Sequence, residues 1–225
     1  MKFKKLIFLT LIGVLTLTLT ACSNDDNSTS FEHDFPPADM SEYEIEANHR
    51  FYDVTMYEAL QLLDDESFNG ILYFGFPDCA WCQAAMPAIH EASQETNTDI
   101  FYVSRHGDLR EGDWLNWDEE MAWWLYENGV TNMRWLNEDG ELVDVGAEED
   151  AYRPNINVPQ IVHLRNGIVV DSHRGTFEDH DPVGEGDERH LPELTDAEYA
   201  TLLETYIRIF SGIHACDINA DDGCS

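Results

Sequence analysis

The run ILYFGFPDCAWCQAAMP, residues 71–87, restricts the possible folds more than any other part of the chain. ILYFGF (71–76) is a short, continuously apolar run, and a strand apolar on both faces belongs inside a parallel sheet covered by helices. It leads through Pro77 and Asp78 into two cysteines, Cys79 and Cys82. The helical pattern WCQAAMPAIHEAS follows, to about Ser93, with Pro87 placed where the helix should continue.

The neighbouring segments extend this unit. HRFYDVT reads as a short strand, and TMYEALQLLDDES spaces Met56, Ala59, Leu60 and Leu63 as one buried helix face, with Thr55 as N-cap. After a turn at Asn69-Gly70 comes the 71–76 strand, then the Cys-containing helix, then DIFYVSR (99–105) as another buried strand. Strand, helix, strand, helix, strand predicts an α/β fold with parallel pairing. Farther on, WDEEMAWWLYENGV (117–130) forms an amphipathic helix with Met121, Trp124, Leu125 and Trp117 on one face, read as packing rather than a ligand stripe. Asp139-Gly140 marks a hairpin within 133–145, and Asn166-Gly167 a second turn within VPQIVHLRNGIVVDSHRGT (158–176). Thr195 and Glu198 make a capping box that opens a closing helix over 194–213. The expected fold class is α/β.

The two cysteines admit three readings: a redox pair, part of a metal site, or a structural bridge. The thiolate is the nucleophile in disulfide exchange, and an ordinary thiol at pKa about 8.5 is mostly protonated at neutral pH. A cysteine between a strand and a helix meets the unsatisfied N–H groups and the positive end of the helix dipole, which favour its anion. A second cysteine one turn on can close back to release a mixed disulfide. Cys79 is then the candidate nucleophile and Cys82 the resolving thiol, with Asp78 opposing ionisation of its neighbour. Structural zinc needs four ligands, and the nine histidines offer no closely spaced pair to complete them. No metal and no organic cofactor is expected. Trp81, between the cysteines, is expected to stand exposed as an apolar platform for substrate, and His90 to be a solvated helix residue.

FGFPDCAWCQAAMP together with NVPQIVHLRNG resembles the thioredoxin superfamily: a Cys-x-x-Cys pair, a proline five residues after it, and a second proline before an apolar strand ending in Asn-Gly. Here these are Cys79, Cys82, Pro87, Pro159 and Gly167, and the resemblance spans roughly residues 49–213. Within the superfamily, YFGFPDCAWC looks most like bacteriocin transport accessory proteins and related surface thiol-disulfide oxidoreductases. The resemblance implies a central mixed sheet flanked by helices, with a helix-plus-hairpin insertion ahead of the strand that follows Pro159. It also implies a cis Val158–Pro159 bond, with the Val158 backbone beside the sulfur pairing with substrate peptide. Two departures stand out. Tyr73 occupies the position, six residues before the first cysteine, of thioredoxin's buried acid, and the intervening dipeptide is Ala80-Trp81 instead of Gly-Pro. Thioredoxin's reducing potential therefore does not carry over; valine before the proline and an aromatic in the dipeptide lean toward an oxidase.

The first 21 residues read as an export signal, with Lys2, Lys4 and Lys5 ahead of the apolar LIFLTLIGVLTLTLT. That core is short of the roughly 20 residues a membrane span needs. LTAC, Leu19–Cys22, resembles the lipobox of bacterial lipoproteins, which implies cleavage before Cys22 and a diacylglycerol on its sulfur; the alternative is an ordinary secretory signal. Residues 22–47, polar and interrupted by Pro36-Pro37, read as a flexible tether, leaving a domain over 48–213 and an acidic tail over 214–225. With Cys22 lipidated, the five cysteines reduce to two local pairs. Cys216 and Cys224 flank DINADDG; a structural disulfide is the expected pairing, with a calcium loop and a second redox pair as alternatives. In a calcium loop glycine would stand where Asp222 does.

The formal charge of −33 comes from 45 acidic against 12 basic residues, and loss of the three leader lysines makes it more negative. Nucleic acid, whose phosphates need a basic face, is not an expected partner. The acidity reads as adaptation to the medium. It would repel anionic headgroups, so the lipid would be the membrane anchor. The expectation is a lipid-anchored, extracytoplasmic oxidoreductase that exchanges disulfides with exported proteins and with an unidentified redox partner. The rivals are an accessory module with an inert Cys79–Cys82 bridge, and a zinc-dependent module.

Overall fold

A computed structural model of the chain describes residues 33–104, 114–130, 133–137, 141–143, 152–177, 179–184 and 190–212. Cys22, Cys216, Cys224, the leader, the acidic tail and the Asp139-Gly140 turn lie outside them.

Five strands form the main sheet, in the order β1 (Phe51–Asp53), β3 (Ile100–Ser104), β2 (Gly70–Gly75), β7 (Gln160–Arg165), β8 (Ile168–Arg174). The first three run parallel, β7 is antiparallel to β2, and β8 is antiparallel to β7. The sheet is mixed because β7 and β8 form a two-residue hairpin through Asn166 and Gly167, both at positive φ. Gly167 is required twice over, since a Cβ there would also approach the Glu66 Cα to 2.7 Å.

Every residue of β2 is buried, and its side chains alternate between two cores. Ile71 and Tyr73 face α2 (Ala80–Glu95) and α4 (Asp196–Ser211), while Leu72 and Phe74 face α1 (Met56–Leu63) and α3 (Trp114–Glu127). The alternation follows from the two-residue period of a strand. Helix α1 begins at the expected capping box of Thr55 and Glu58. Helix α4 begins at Thr195 and Glu198. Small residues Ala85, Ala88 and Ala92 let α2 pack close to the sheet and α4, and Tyr199 Oη donates to Glu91 at 2.5 Å across that helix pair.

The insertion between β3 and β7 holds α3 and a separate three-stranded sheet, order β5 (Leu142–Val143), β4 (Arg134–Leu136), β6 (Arg153–Asn155). The expected hairpin thus gains a third strand, which three residues containing Pro154 gave no alternation to reveal. On α3, Met121, Ala122 and Leu125 are buried and Trp124 packs beside them, a core role for that part of the stripe; the Trp117 side chain lies outside the description.

The tether expected over 22–47 is too long. Residues 36–38 join the outer edge of β1 through Ala38 N–H to Phe51 O (3.0 Å) and Asp53 N–H to Pro36 O (2.8 Å), and Met40 and Tyr43 enter the α2–α4 core. The chain therefore enters the fold before residue 48. This segment covers an edge that would otherwise leave N–H and C=O groups unpaired. No helix among the described residues is long and apolar enough to cross a membrane.

Candidate functional site

The site lies beyond the C-terminal end of β2, where open α/β sheets bind ligands. The chain turns through Phe76, Pro77 and Asp78, and the Cys79 N–H closes the turn onto Phe76 O (3.2 Å). Gln83 Nε2 steadies it from α2, donating to Pro77 O at 2.9 Å and to Glu42 O at 3.2 Å, so the N-terminal segment also braces the loop.

Cys79 is the N-cap of α2. Its backbone is extended, and its sulfur accepts the Cys82 N–H at 3.2 Å, the place usually taken by a Ser, Thr, Asp or Asn oxygen. The two cysteines are not joined in a disulfide. Cys79 is 7% exposed and Cys82 fully buried, so an attacking group reaches Cys79 first. Asp78 points to solvent, where water weakens its effect on the sulfur.

The Val158–Pro159 bond is cis, and the Val158 carbonyl oxygen lies 3.9 Å from Cys79 Sγ. Thus Cys79, Cys82, Trp81, Val158 and Pro159, far apart in sequence, form one site. Gly175 N–H donates to Pro159 O at 2.8 Å, which fastens the end of β8 to this loop.

Burial pushes the Cys82 thiol well up, and the adjacent Cys79 sulfur pushes it further; the Phe76 backbone and the Tyr73 hydroxyl oppose this weakly. Beneath Cys82 lie Tyr43, Tyr73 and Tyr102, with Tyr73 and Tyr102 stacked at 5.5 Å. All three phenols are raised, chiefly by burial. The Tyr43 and Tyr73 hydroxyls meet each other, and Tyr73 the Cys82 sulfur, outside ideal hydrogen-bonding geometry, and both lie near enough to Cys82 to feel its charge.

Trp81 departs from expectation. It is half-buried, packs against the α2–α4 core, and its indole N–H donates to His180 O at 2.9 Å. His180 is itself buried between Thr176 Oγ1 (2.5 Å from Nδ1) and Pro192 O (2.8 Å from Nε2). A carbonyl only accepts, so Nε2 carries hydrogen, and a neutral ring accepts the Thr176 hydroxyl at Nδ1. His90 is likewise not solvated: it is half-buried beside Phe51, and burial lowers its pKa.

Beside Trp81 and Val158 opens a cleft of about 430 Å³, walled also by Arg134, Arg174, Thr176 and Phe177. Sequence reasoning missed this wall. HRGTFEDH has no periodicity, and its role arises from contacts such as Trp81 to His180, which are remote in sequence. Among the described residues no three His, Cys, Asp or Glu side chains gather to hold a metal ion. No known family model matches the chain, and no curated protein matches it either.

Proposed function

We propose that this chain is a thioredoxin-like thiol-disulfide oxidoreductase, held outside the cell membrane by a lipid on Cys22, that exchanges disulfides with exported proteins. One observation carries the reading: the Cys79 sulfur caps α2, accepts the Cys82 N–H at 3.2 Å and lies 3.9 Å from the carbonyl of Val158, a residue that lines a cleft. The mixed sheet with helices on both faces is compatible with the fold the motifs resemble.

In the reducing direction, the Cys79 thiolate, favoured by the N–H donor and the helix end, attacks one sulfur of a substrate disulfide. A mixed disulfide forms and the other substrate sulfur leaves as a thiolate that takes a proton. Cys82 then gives up its proton and attacks Cys79 Sγ. The second substrate thiolate departs, leaving a Cys79–Cys82 disulfide and a dithiol. Substrate oxidation is the same sequence reversed. The Val158 backbone would pair with the substrate segment, and Trp81 and Phe177 would offer it apolar surface.

Val158 and the aromatic dipeptide lean toward oxidation. The buried Cys82 leans the other way, because a thiolate costly to form is a poor leaving group and makes its disulfide harder to reduce. The reduction potential of the couple decides: a value near about −120 mV identifies an oxidant and one near about −270 mV a reductant.

The reading is tested with Cys82→Ala, which removes the resolving thiol. Incubated with a reduced and reoxidised exported protein, the variant should accumulate a Cys79 mixed disulfide visible by mass spectrometry. If nothing is trapped while Cys79 still alkylates in the folded protein, the pair is inert. The low exposure of Cys79 is what favours that rival, an accessory module with a structural Cys79–Cys82 bridge. The anchor has its own test: radiolabelled fatty acid should enter the wild-type chain in cells and not Cys22→Ser, and equal labelling rules it out.

A further inference from the structure

The arginines are distributed in a way the proposed exchange chemistry does not require. After the leader lysines the chain has nine basic side chains, all arginine, against 45 acidic ones. With acid so abundant, an arginine near the surface should find a carboxylate. Arg50 does so with Asp99, Arg153 with Glu119 and Arg208 with Asp171. Three do not have an ion pair among the described residues: the exposed Arg165 at the end of β7, and Arg134, from β4, with Arg174, ending β8. The latter two, from separate sheets, converge instead on the cleft beside Trp81 and Val158.

Like charges converging on a partly enclosed space are unfavourable, and the effect is visible on Arg174, whose pKa is lowered first by burial and then by the charge of Arg134. The surroundings do little to offset it. Among the described residues Asp181 is the one carboxylate lining the cleft, and it is exposed. His173, also in the wall, is held toward its neutral form by burial, so the cleft's positive charge at neutral pH comes from the two guanidiniums. A planar guanidinium matches a carboxylate through two parallel N–H···O bonds, and the half-buried Arg174 gains more from such a pair than the exposed Arg134.

We propose that the cleft formed by Arg134 and Arg174 is a specificity subsite for an acidic peptide segment, binding Asp or Glu side chains that flank the substrate cysteine. The inference rests on the exchange reading for the identity of the substrate. Its occupant is argued from charge complementarity and from the position of the cleft against the Val158 backbone, along which an extended segment would run. The surface charge, read as a response to the medium, also suits it: a protein exported into the same medium under the same pressure would carry carboxylates on its surface.

The net charge makes the test sharp, since a chain at −33 attracts a basic peptide non-specifically. Three peptides with one internal disulfide, flanked by Asp, Asn or Lys, are compared as substrates of the full-length protein. Their cysteine-to-serine versions are compared as ligands by calorimetry. The Asp peptide should react and bind about tenfold better than the Lys peptide, the scale of one charge-assisted pair at the half-buried Arg174 with a weaker one at the exposed Arg134. The double variant Arg134→Gln/Arg174→Gln should reverse this order to favour Lys. The control Arg153→Gln/Arg165→Gln, with the same net charge, should keep it. Preference for Lys in the wild type, or an Asp preference that survives the cleft substitutions, overturns the inference. Should no disulfide react at all, the exchange reading fails, and the serine peptides still decide the cleft by binding alone.

Discussion

Tyr73 occupies the most demanding position at the site. Its ring is fully buried between Tyr102 and Cys82, and its hydroxyl lies over Gly75, where an added Cβ would come within 2.4 Å of the oxygen and 2.6 Å of Cζ. Gly75 is thus small because Tyr73 folds back on it. Gly75→Ala should cost about 1–3 kcal/mol, the usual penalty for overpacking a filled core. Tyr73→Phe should change stability by less than about 1 kcal/mol, since the lost hydroxyl makes only non-ideal polar contacts with Tyr43 and Cys82. Urea unfolding of the two variants checks both, and a Phe variant losing as much as the Ala variant would show that the hydroxyl is engaged. The sequence displayed Tyr73 and its spacing from Cys79, but not this contact. A side chain two residues back along a strand reaches the glycine only once β2 is packed under α2.

Among the elements, the N-terminal segment is the one farthest from its expected role. Residues 33–47 carry Pro36-Pro37 and scattered acids, which suit a tether, and Phe35, Met40, Tyr43 and Ile45 follow neither a helix nor a strand period. Irregular backbone buries side chains without leaving a periodic trace, so only the pairing with β1 and the entry of Met40 and Tyr43 beside Tyr102 reveal it. Removing residues 33–47 should therefore destabilise the domain by about 3–6 kcal/mol, from two large buried side chains at roughly 1.5–3 kcal/mol each. Equal urea midpoints for chains beginning at 33 and 48 would contradict this. The regular elements were legible because each carried a local signal: the apolar run of β2, the capping boxes of α1 and α4, the Asn-Gly turn. Strand β6 had none, being short and stabilised by pairing with β4 and by α3.

On the scale of the whole molecule, the titrating groups set a window of stability. Burial lowers the pKa of His33, His90 and His173, so they are neutral in the fold. Below about pH 6.5 the unfolded chain takes up protons that the fold refuses, and stability falls. Asp39, Asp65 and Glu198 are lowered by hydrogen bonds to their carboxylates, so their contribution holds above about pH 4 and is lost on further acidification. At the other end Cys82 and the buried tyrosines are raised. Above about pH 8.5 for the thiol and about pH 10 for the phenols, the unfolded chain loses protons that the fold retains, and stability falls again. The reduced protein's urea midpoint should be highest between these limits. Cys82→Ala should remove the first alkaline step, and a midpoint unchanged between about pH 7.5 and 5.5 would show that the histidines titrate normally.

By itself the sequence determined the β-α frame, the cap residues and the pair of thiols, because strand burial, helix capping and turn geometry are encoded in residues only a few positions apart. Tertiary structure decided which of those residues share a site. It brought Val158 beside Cys79, set the His180 loop against Trp81, and turned two arginines from different sheets into one cleft. Such juxtapositions depend on how layers pack, and that packing leaves no period or spacing in the chain to be read in advance.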